Sequence, residues 1–215
     1  MTVRPQAVIF DCDGVLADSE PHAVTAWLGV LRDLGHPAAE ADVEACTGLG
    51  FAPTWERLSS IAPLPSQAAV WSHLLAALEQ RFIDPGLHRF ADAAAVLNRC
   101  LAEGVAVAVV SASPRQRLDL TLRYAGLEGV FAISVSGDDV EHGKPAPEPY
   151  LTAATQLGVT PAQCVAIEDS PTGAESAAAA GTLVIAVVRE ESHRVALEAT
   201  GATVVDWLTA EAVGF

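Results

Sequence analysis

Lysine is almost missing from this chain. Of its 12 basic residues, 11 are arginine and one, Lys144, is lysine. Positive charge as a whole is scarce, because those 12 residues face 27 Asp and Glu and leave a formal charge of -15. A field of that sign repels the polyanionic backbone of a nucleic acid and an anionic membrane surface, so neither is expected as a partner. A small anionic substrate meets the same repulsion and needs a local cation, which directs attention to a metal. Aromatic residues make up only 6% of the chain, too few for an aromatic-loaded binding surface. Long apolar runs are missing too. The stretches at 104–112 and 177–188 fall short of the roughly 18 residues that a membrane-spanning helix requires. Cys12, Cys46, Cys100 and Cys164 stand far apart with no CxxC pair, and the start MTVRPQAVIFDCDG has only a short apolar run before acids begin. These features predict a reduced, cytoplasmic protein without a signal peptide.

What is present is a folded chain of 215 residues, 51% apolar and 18% charged. That length allows one large domain or one core carrying an insertion. Runs rich in Val, Ile and Ala recur at 7–10, 105–110, 132–136, 164–167 and 183–188 and read as buried parallel strands. Between them Leu118, Leu122 and Ala125, then Tyr150, Ala154 and Leu157, then Ala174 and Ala177 carry helical spacing. The alternation predicts a doubly wound, Rossmann-like α/β sheet, with Gly104, Gly158 and Gly181 at helix ends. Residues 18–88 interrupt it with helical patterns alone, such as Val24, Trp27, Leu28, Leu31 and Leu34, then Trp71, Leu74, Leu75, Leu78 and Phe82. The expected organisation is therefore a core of residues 1–17 and 89–215 with an α-helical cap of residues 18–88.

In an open α/β sheet, ligands bind at the carboxyl ends of the strands. Here those ends read Asp11-Cys12-Asp13-Gly14, Ser111-Ala112-Ser113, Gly137-Asp138-Asp139 and Glu168-Asp169-Ser170. Alternation along an extended chain puts Asp11 and Asp13 toward the same side, about 6–7 Å apart, and Gly14 lets the backbone turn away. Adding Glu168 and Asp169 crowds the sheet edge with negative charge that a divalent cation would relieve. Oxygen donors without clustered His or Cys point to a hard ion, Mg²⁺ before Ca²⁺. A single Asp after a strand is ordinarily a turn former or helix cap, and four such ends together are what favour a site. Ser111 and Ser113 suit both helix capping and phosphate binding. Lys144 sits in a loop stiffened by Pro145, Pro147 and Pro149, as expected if a point charge must reach an anion. Arg115 and Arg117 read first as neutralising an acidic surface, with contact to a distal phosphate as the alternative.

The segments DCDGVLADSE, SASPRQR, GKPAPEPY and IEDSPTGAESAAAAG, in that order, resemble the four motifs of the haloacid dehalogenase superfamily over about residues 6–188. They are most similar to the branch holding β-phosphoglucomutase and sugar-phosphate phosphatases. The resemblance implies that Asp11 is the nucleophile forming an aspartyl-phosphate and that Asp13 is the general acid and base. It implies that Ser111 and Ala112 hold the phosphoryl group and that Lys144 pairs with Asp11 and the phosphate. Mg²⁺ would be bound by Asp11, Asp169 and the Asp13 backbone carbonyl, with Glu168 as a ligand or a support behind one. The substrate implied is a small phosphorylated metabolite, a sugar or polyol phosphate.

The chain departs from the mutase pattern. CTGLGFAPTWERL has no Gly-x-x-Arg segment and the cap region has no lysine, which disfavours a phosphomutase and rules out a cap Schiff base. Asp13 argues for phosphorus chemistry over dehalogenation. Glu20, His22, Arg57 and Arg81 are the cap residues expected to select substrate. A phospho-receiver or a non-catalytic phosphate binder is the alternative from outside enzymology, though receivers are shorter and order their acids differently. Nothing in the sequence distinguishes monomer from oligomer.

Overall fold

The computed structural model describes residues 4–36, 40–46, 49–61 and 63–215. The first strand, β1 (Ala7–Asp11), is followed by four helices: α1 (Glu20–Asp33), α2 (Glu40–Glu44), α3 (Phe51–Ile61) and α4 (Gln67–Arg81). The chain then alternates through α5 (Ala91–Ala102), β2 (Ala106–Val110), α6 (Arg115–Tyr124), β3 (Ile133–Val135), α7 (Glu148–Leu157), β4 (Cys164–Glu168), α8 (Pro171–Ala179), β5 (Leu183–Val187), α9 (Arg194–Ala199), β6 (Thr203–Val205) and α10 (Ala210–Val213). All strand pairs are parallel, in the order β3-β2-β1-β4-β5-β6.

The period-two pattern of β1 explains the layering. Val8 and Phe10 enter one apolar cluster with Val96 and Leu97 of α5 and Leu118 of α6, whereas Ala7 and Ile9 enter another with Tyr150 of α7 and Ala174 of α8. A strand buried on both faces reads as an unbroken apolar run. Gly104, Gly158 and Gly181 all have positive φ, the left-handed conformation that ends a helix before the next strand. All five expected strands are present, each with one or both ends moved by a single residue. A sixth, β6, escapes the sequence pattern because it is three residues long at the sheet edge and only partly buried.

The helices after β1 form a third cluster, in which Trp27, Val30 and Leu31 of α1 pack with Leu58 of α3 and Leu74 and Leu78 of α4. Leu120 of α6 joins it from the sheet side. No strand interrupts the described residues between 18 and 88. Two connecting segments run side by side below this bundle: Asp18 N donates to His88 O at 2.9 Å, Phe90 N to Leu16 O at 3.2 Å, and Ala17 bridges Arg89.

β1 lies where the strand order reverses, with β2 on one side and β4 on the other. The register sets Asp11 beside Val110 and Phe10 beside Ile167, so the ends of three strands deliver Asp11, Ser111 and Glu168 to one crevice. Among the described residues no helix is long and apolar enough to cross a membrane.

Candidate active site

Asp11, Glu168 and Asp169 are buried and bring carboxylate oxygens within 4.8 Å of one another. Burial and the neighbouring charges of Glu168 and Asp13 push the Asp11 carboxyl well above its ordinary range, against the opposing pull of Lys144. Burial, Asp11 and Glu168 do the same to Asp169. Like charges confined in a low-dielectric space are costly unless a proton or cation joins them. Oxygen donors grouped in this way could hold a hard divalent cation.

Two glycines permit the crowding. A Cβ on Gly14 would stand 2.0 Å from Asp169 Oδ2, and Gly14 also has φ +84°. A Cβ on Gly173 would stand 2.1 Å from Glu168 Oε1. Each marks a carboxylate that lies directly against a main chain.

Lys144 enters from the Pro-rich loop, its side chain 5% exposed. Its ammonium donates to Asp11 Oδ1 and, at 2.5 Å, to Glu168 Oε1. Burial acts to lower its pKa, but Asp11 and Glu168 outweigh that, raise it above the ordinary value and keep the ammonium charged. Tyr150 of α7 donates its hydroxyl to the same Glu168 oxygen, and Ser170 donates to the other at 3.3 Å. Glu168 thus sits behind Lys144 as its anchor while remaining within reach of the carboxylate group. The loop itself is tied down where the Ser176 hydroxyl donates to Ala146 O.

Asp13 lines the same pocket as Asp11, Asp169 and Lys144, but different partners hold its carboxylate. Ser19 donates to Oδ1, while Ser111 and Ser113 donate to Oδ2 at 2.9 and 3.0 Å. Arg117 approaches Oδ1 at 3.4 Å. Burial works to raise its pKa, yet the Arg117 charge and the three hydroxyls more than offset this and leave it below the ordinary value. The two carboxylates of the first motif therefore sit in contrasting environments, one raised and one lowered. The acids gathered at Asp11 call for a compensating positive charge, whereas Arg117 and the hydroxyls favour the ionised form of Asp13.

The loop after β2 is shaped from both ends. Ser111 Oγ accepts from Ser113 N at 3.0 Å, and Gly137 N donates to Ser113 O at 2.9 Å. Ala112 lines the pocket, and a Cβ on Gly137 would stand 2.6 Å from its carbonyl oxygen. Ser113 does not cap α6. Arg115 N is instead bound by Asp138 Oδ2 at 2.8 Å, and Asp139 caps the turn at Ser136. The acids after β3 are consequently cap residues, which the resemblance of all four strand ends had concealed.

Of the cap residues expected to select substrate, the structure brings Glu20 to the pocket. Burial and the charge of Asp13 raise its carboxyl to about 7. His22 packs edge-on against Phe82, centroids 5.5 Å apart, and Arg57 is exposed on α3; neither lines the pocket. Arg81 ends α4 and is likewise outside it. Arg117, which reads as a surface arginine in the sequence, is instead 15% exposed and lines the pocket. Ser19 and Tyr150 also escape a sequence reading, being a loop serine and a helix core position.

Set beside known proteins, this geometry has a home. The chain matches the haloacid dehalogenase-like hydrolase family over residues 5–181. It belongs to that family. It is 33% identical over 183 residues to the fructose-1-phosphate phosphatase YqaB of Escherichia coli, covering 84% of this chain and 95% of that protein. It is 32% identical over 201 residues to hexitol phosphatase B of E. coli, covering 87% and 85%. Among solved structures, CbbY from Rhodobacter sphaeroides in complex with phosphate superposes with a TM-score of 0.81 at 25% identity over 94% of each chain. This haloacid dehalogenase-like hydrolase is an enzyme, a phosphoric monoester hydrolase.

Proposed function

We propose that this hydrolase cleaves a small phosphorylated carbohydrate in a Mg²⁺-dependent reaction, through an aspartyl-phosphate on Asp11. The observation that carries the reading is the meeting of Asp11, Lys144, Glu168 and Asp169 in one crevice, with Asp13 beside them on partners of its own. Asp11 is set against Lys144, Glu168 and Asp169, while Asp13 is bound by Ser19, Ser111 and Ser113. The names of the relatives support the substrate class, since those proteins act on fructose 1-phosphate and on hexitol phosphates. The core of residues 1–17 and 89–215 and the cap of residues 18–88 belong to the same proposal.

Asp11, Asp169 and the Asp13 carbonyl would hold Mg²⁺, with Glu168 behind them. Bound there, Mg²⁺ supplies the positive charge that lets a carboxylate approach a phosphate dianion. Lys144, held charged by its two carboxylates, adds a second positive charge beside Asp11. The Asp11 carboxylate attacks phosphorus as the P–O bond to the leaving group breaks, and Asp13, which takes up a proton once substrate draws the Ser111 hydroxyl away from it, gives that proton to the leaving oxygen. Water then gives a proton to Asp13 and attacks the aspartyl-phosphate, releasing inorganic phosphate and restoring Asp11. The Ser111 hydroxyl and the Ala112 main chain receive the phosphoryl oxygens, which requires the Ser111–Asp13 bond to open when substrate enters. Closure of the cap excludes bulk water from the intermediate.

Phosphate release from a panel of sugar and polyol phosphates, by wild type and Asp11→Asn with and without EDTA, tests this reading. Both the substitution and the chelator are expected to reduce turnover by at least about 10⁴-fold with the thermal transition still cooperative. Retained turnover in Asp11→Asn would remove the nucleophile from the scheme. Isomerised product formed only with added sugar bisphosphate would replace hydrolysis by a phosphomutase.

A further inference from the structure

Two cavities meet between the sheet edge and the helices above it, and they share Glu20, Leu49 and Arg117. One holds Asp11, Asp13 and Lys144. The other is walled by Trp27, Phe51 and Trp71. Phe51 lies parallel to Trp27 with centroids 5.8 Å apart and meets Trp71 edge-on at 4.7 Å, so the wall is preformed.

Arg117 comes from α6 of the core. Its single carboxylate contact, Asp13 Oδ1 at 3.4 Å, is long, and that carboxylate already accepts from three serine hydroxyls. Its Nε is buried without a partner. A buried donor left unmatched is destabilising, so a group that brings an acceptor to this point is favoured. Among the described residues lining the catalytic pocket the cations are Lys144 and Arg117, and Lys144 is engaged by Asp11 and Glu168.

We propose that Arg117 and Glu20 read the leaving group and that this group is a ring-form sugar. This rests on the phosphomonoesterase reading above. The hydroxylated edge of the ring takes hydrogen bonds from Arg117 and gives them to Glu20, and its C–H face packs on the Trp27–Phe51–Trp71 wall. An open-chain polyol has no continuous apolar face to offer that wall, its hydroxyls would lose water against aromatic carbon, and ordering its torsions costs entropy that a ring has already lost. A second phosphate on the leaving group is disfavoured because Asp13 and Glu20 flank the same mouth.

The test measures kcat and KM for wild type, Arg117→Lys and Arg117→Met at saturating Mg²⁺. The substrates are a set of ring-locked hexose 1-phosphates, sorbitol 6-phosphate and ethyl phosphate. The best ring-locked ester is expected to exceed sorbitol 6-phosphate at least about tenfold in kcat/KM. Arg117→Met should raise KM for that ester roughly 10- to 100-fold with kcat much less affected, and Arg117→Lys should recover part of the loss. The loss should exceed that on ethyl phosphate at least about tenfold. Equal losses on both esters would mean that Arg117 acts through Asp13, and would overturn the inference alone. Sorbitol 6-phosphate matching the best ring also overturns it. No phosphate release from any ester by wild type overturns the phosphomonoesterase reading itself. Thermal melts of both variants identify a loss that comes from unfolding.

Discussion

The crevice at the sheet edge and the helical bundle above it are built on opposite plans. In the crevice nearly every polar atom is committed: Lys144 to two carboxylates, Glu168 to Lys144, Tyr150 and Ser170, and Asp13 to three hydroxyls. In the bundle the contacts are apolar and aromatic, and the polar side chains expected to matter point in different directions. His22 faces Phe82, Arg57 is exposed and Glu20 alone meets the pocket. Chemistry that tolerates little displacement has been placed on strand ends, whose positions the hydrogen-bond ladder fixes. In the proposed reaction, selection among leaving groups falls to helices, whose side-chain directions depend on packing.

The sharpest way to break this comparison is to loosen one committed group without touching the reacting atoms. Glu168→Gln keeps the shape of the side chain but removes the charge that, with Asp11, holds Lys144 in place. We expect kcat to fall roughly 10²–10³-fold, the range seen when a preorganised charge contact is lost. Single-turnover kinetics, read for the slowing of the chemical step, and Mg²⁺ titration check it. If kcat stays within about threefold of wild type, Glu168 is not the anchor of Lys144 and the contrast between the two regions weakens.

A second test concerns what ties the regions together. Asp92, buried at the start of α5, accepts two hydrogen bonds from Arg189, at 2.8 and 3.0 Å, and one from Leu208 N at 3.1 Å. Arg189 in turn donates to Gly14 O at 3.0 Å and lies over the Phe90 ring. One ion pair therefore joins the first motif, the connecting segment at Phe90 and the C-terminal residues. Breaking a buried pair from one side leaves the other charge stranded and typically costs about 3–5 kcal/mol; Asp92→Ala is expected near the lower end because Arg189 keeps some solvent access. Burial acts to raise the Asp92 pKa, but Arg189 and the amides of Leu208 and Ala93 leave it below the ordinary value. The unfolded chain thus binds the proton more readily. This contribution to stability is complete above the ordinary carboxylate pKa, about 3.9, and is lost as pH falls through the lower folded value. Chemical denaturation from pH 7 down toward pH 2 should show the Asp92→Ala variant losing less of its remaining stability over the acid range than wild type. Parallel acid limbs would remove Asp92 from the account.

How much of this was legible in the sequence follows the same division. The strands, their order in the chain and the four polar ends are visible because burial on both faces writes an apolar run, and the residue after such a run stands at the sheet edge. Asp11, Glu168 and Asp169 converge in space although 157 positions separate the first two, since parallel register alone aligns their strands. Asp138 and Asp139 misled because a carboxylate that caps a helix and one that faces a ligand occupy the same place in a sequence. Arg117 was hidden for a related reason. One turn into α6, its direction is set by how that helix packs under the cap, which residue spacing does not encode.

The smallest expected effect bears on that last point. His22 and Arg57 suit substrate selection by residue type, yet one packs on Phe82 and the other faces solvent. His22→Ala removes an edge-on aromatic contact of the kind that contributes about 0.5–1.5 kcal/mol, so a modest drop in thermal stability is expected with kcat/KM within about twofold of wild type. Arg57→Ala should change neither by more than the error of measurement, as surface substitutions usually do. A change in substrate ranking by either variant would mean that the bundle repositions when substrate binds, bringing to the leaving group a surface that the present arrangement turns away from it. The cap would then select by movement, and the fixed aromatic wall with Glu20 and Arg117 would be only the first of two arrangements that the leaving group meets.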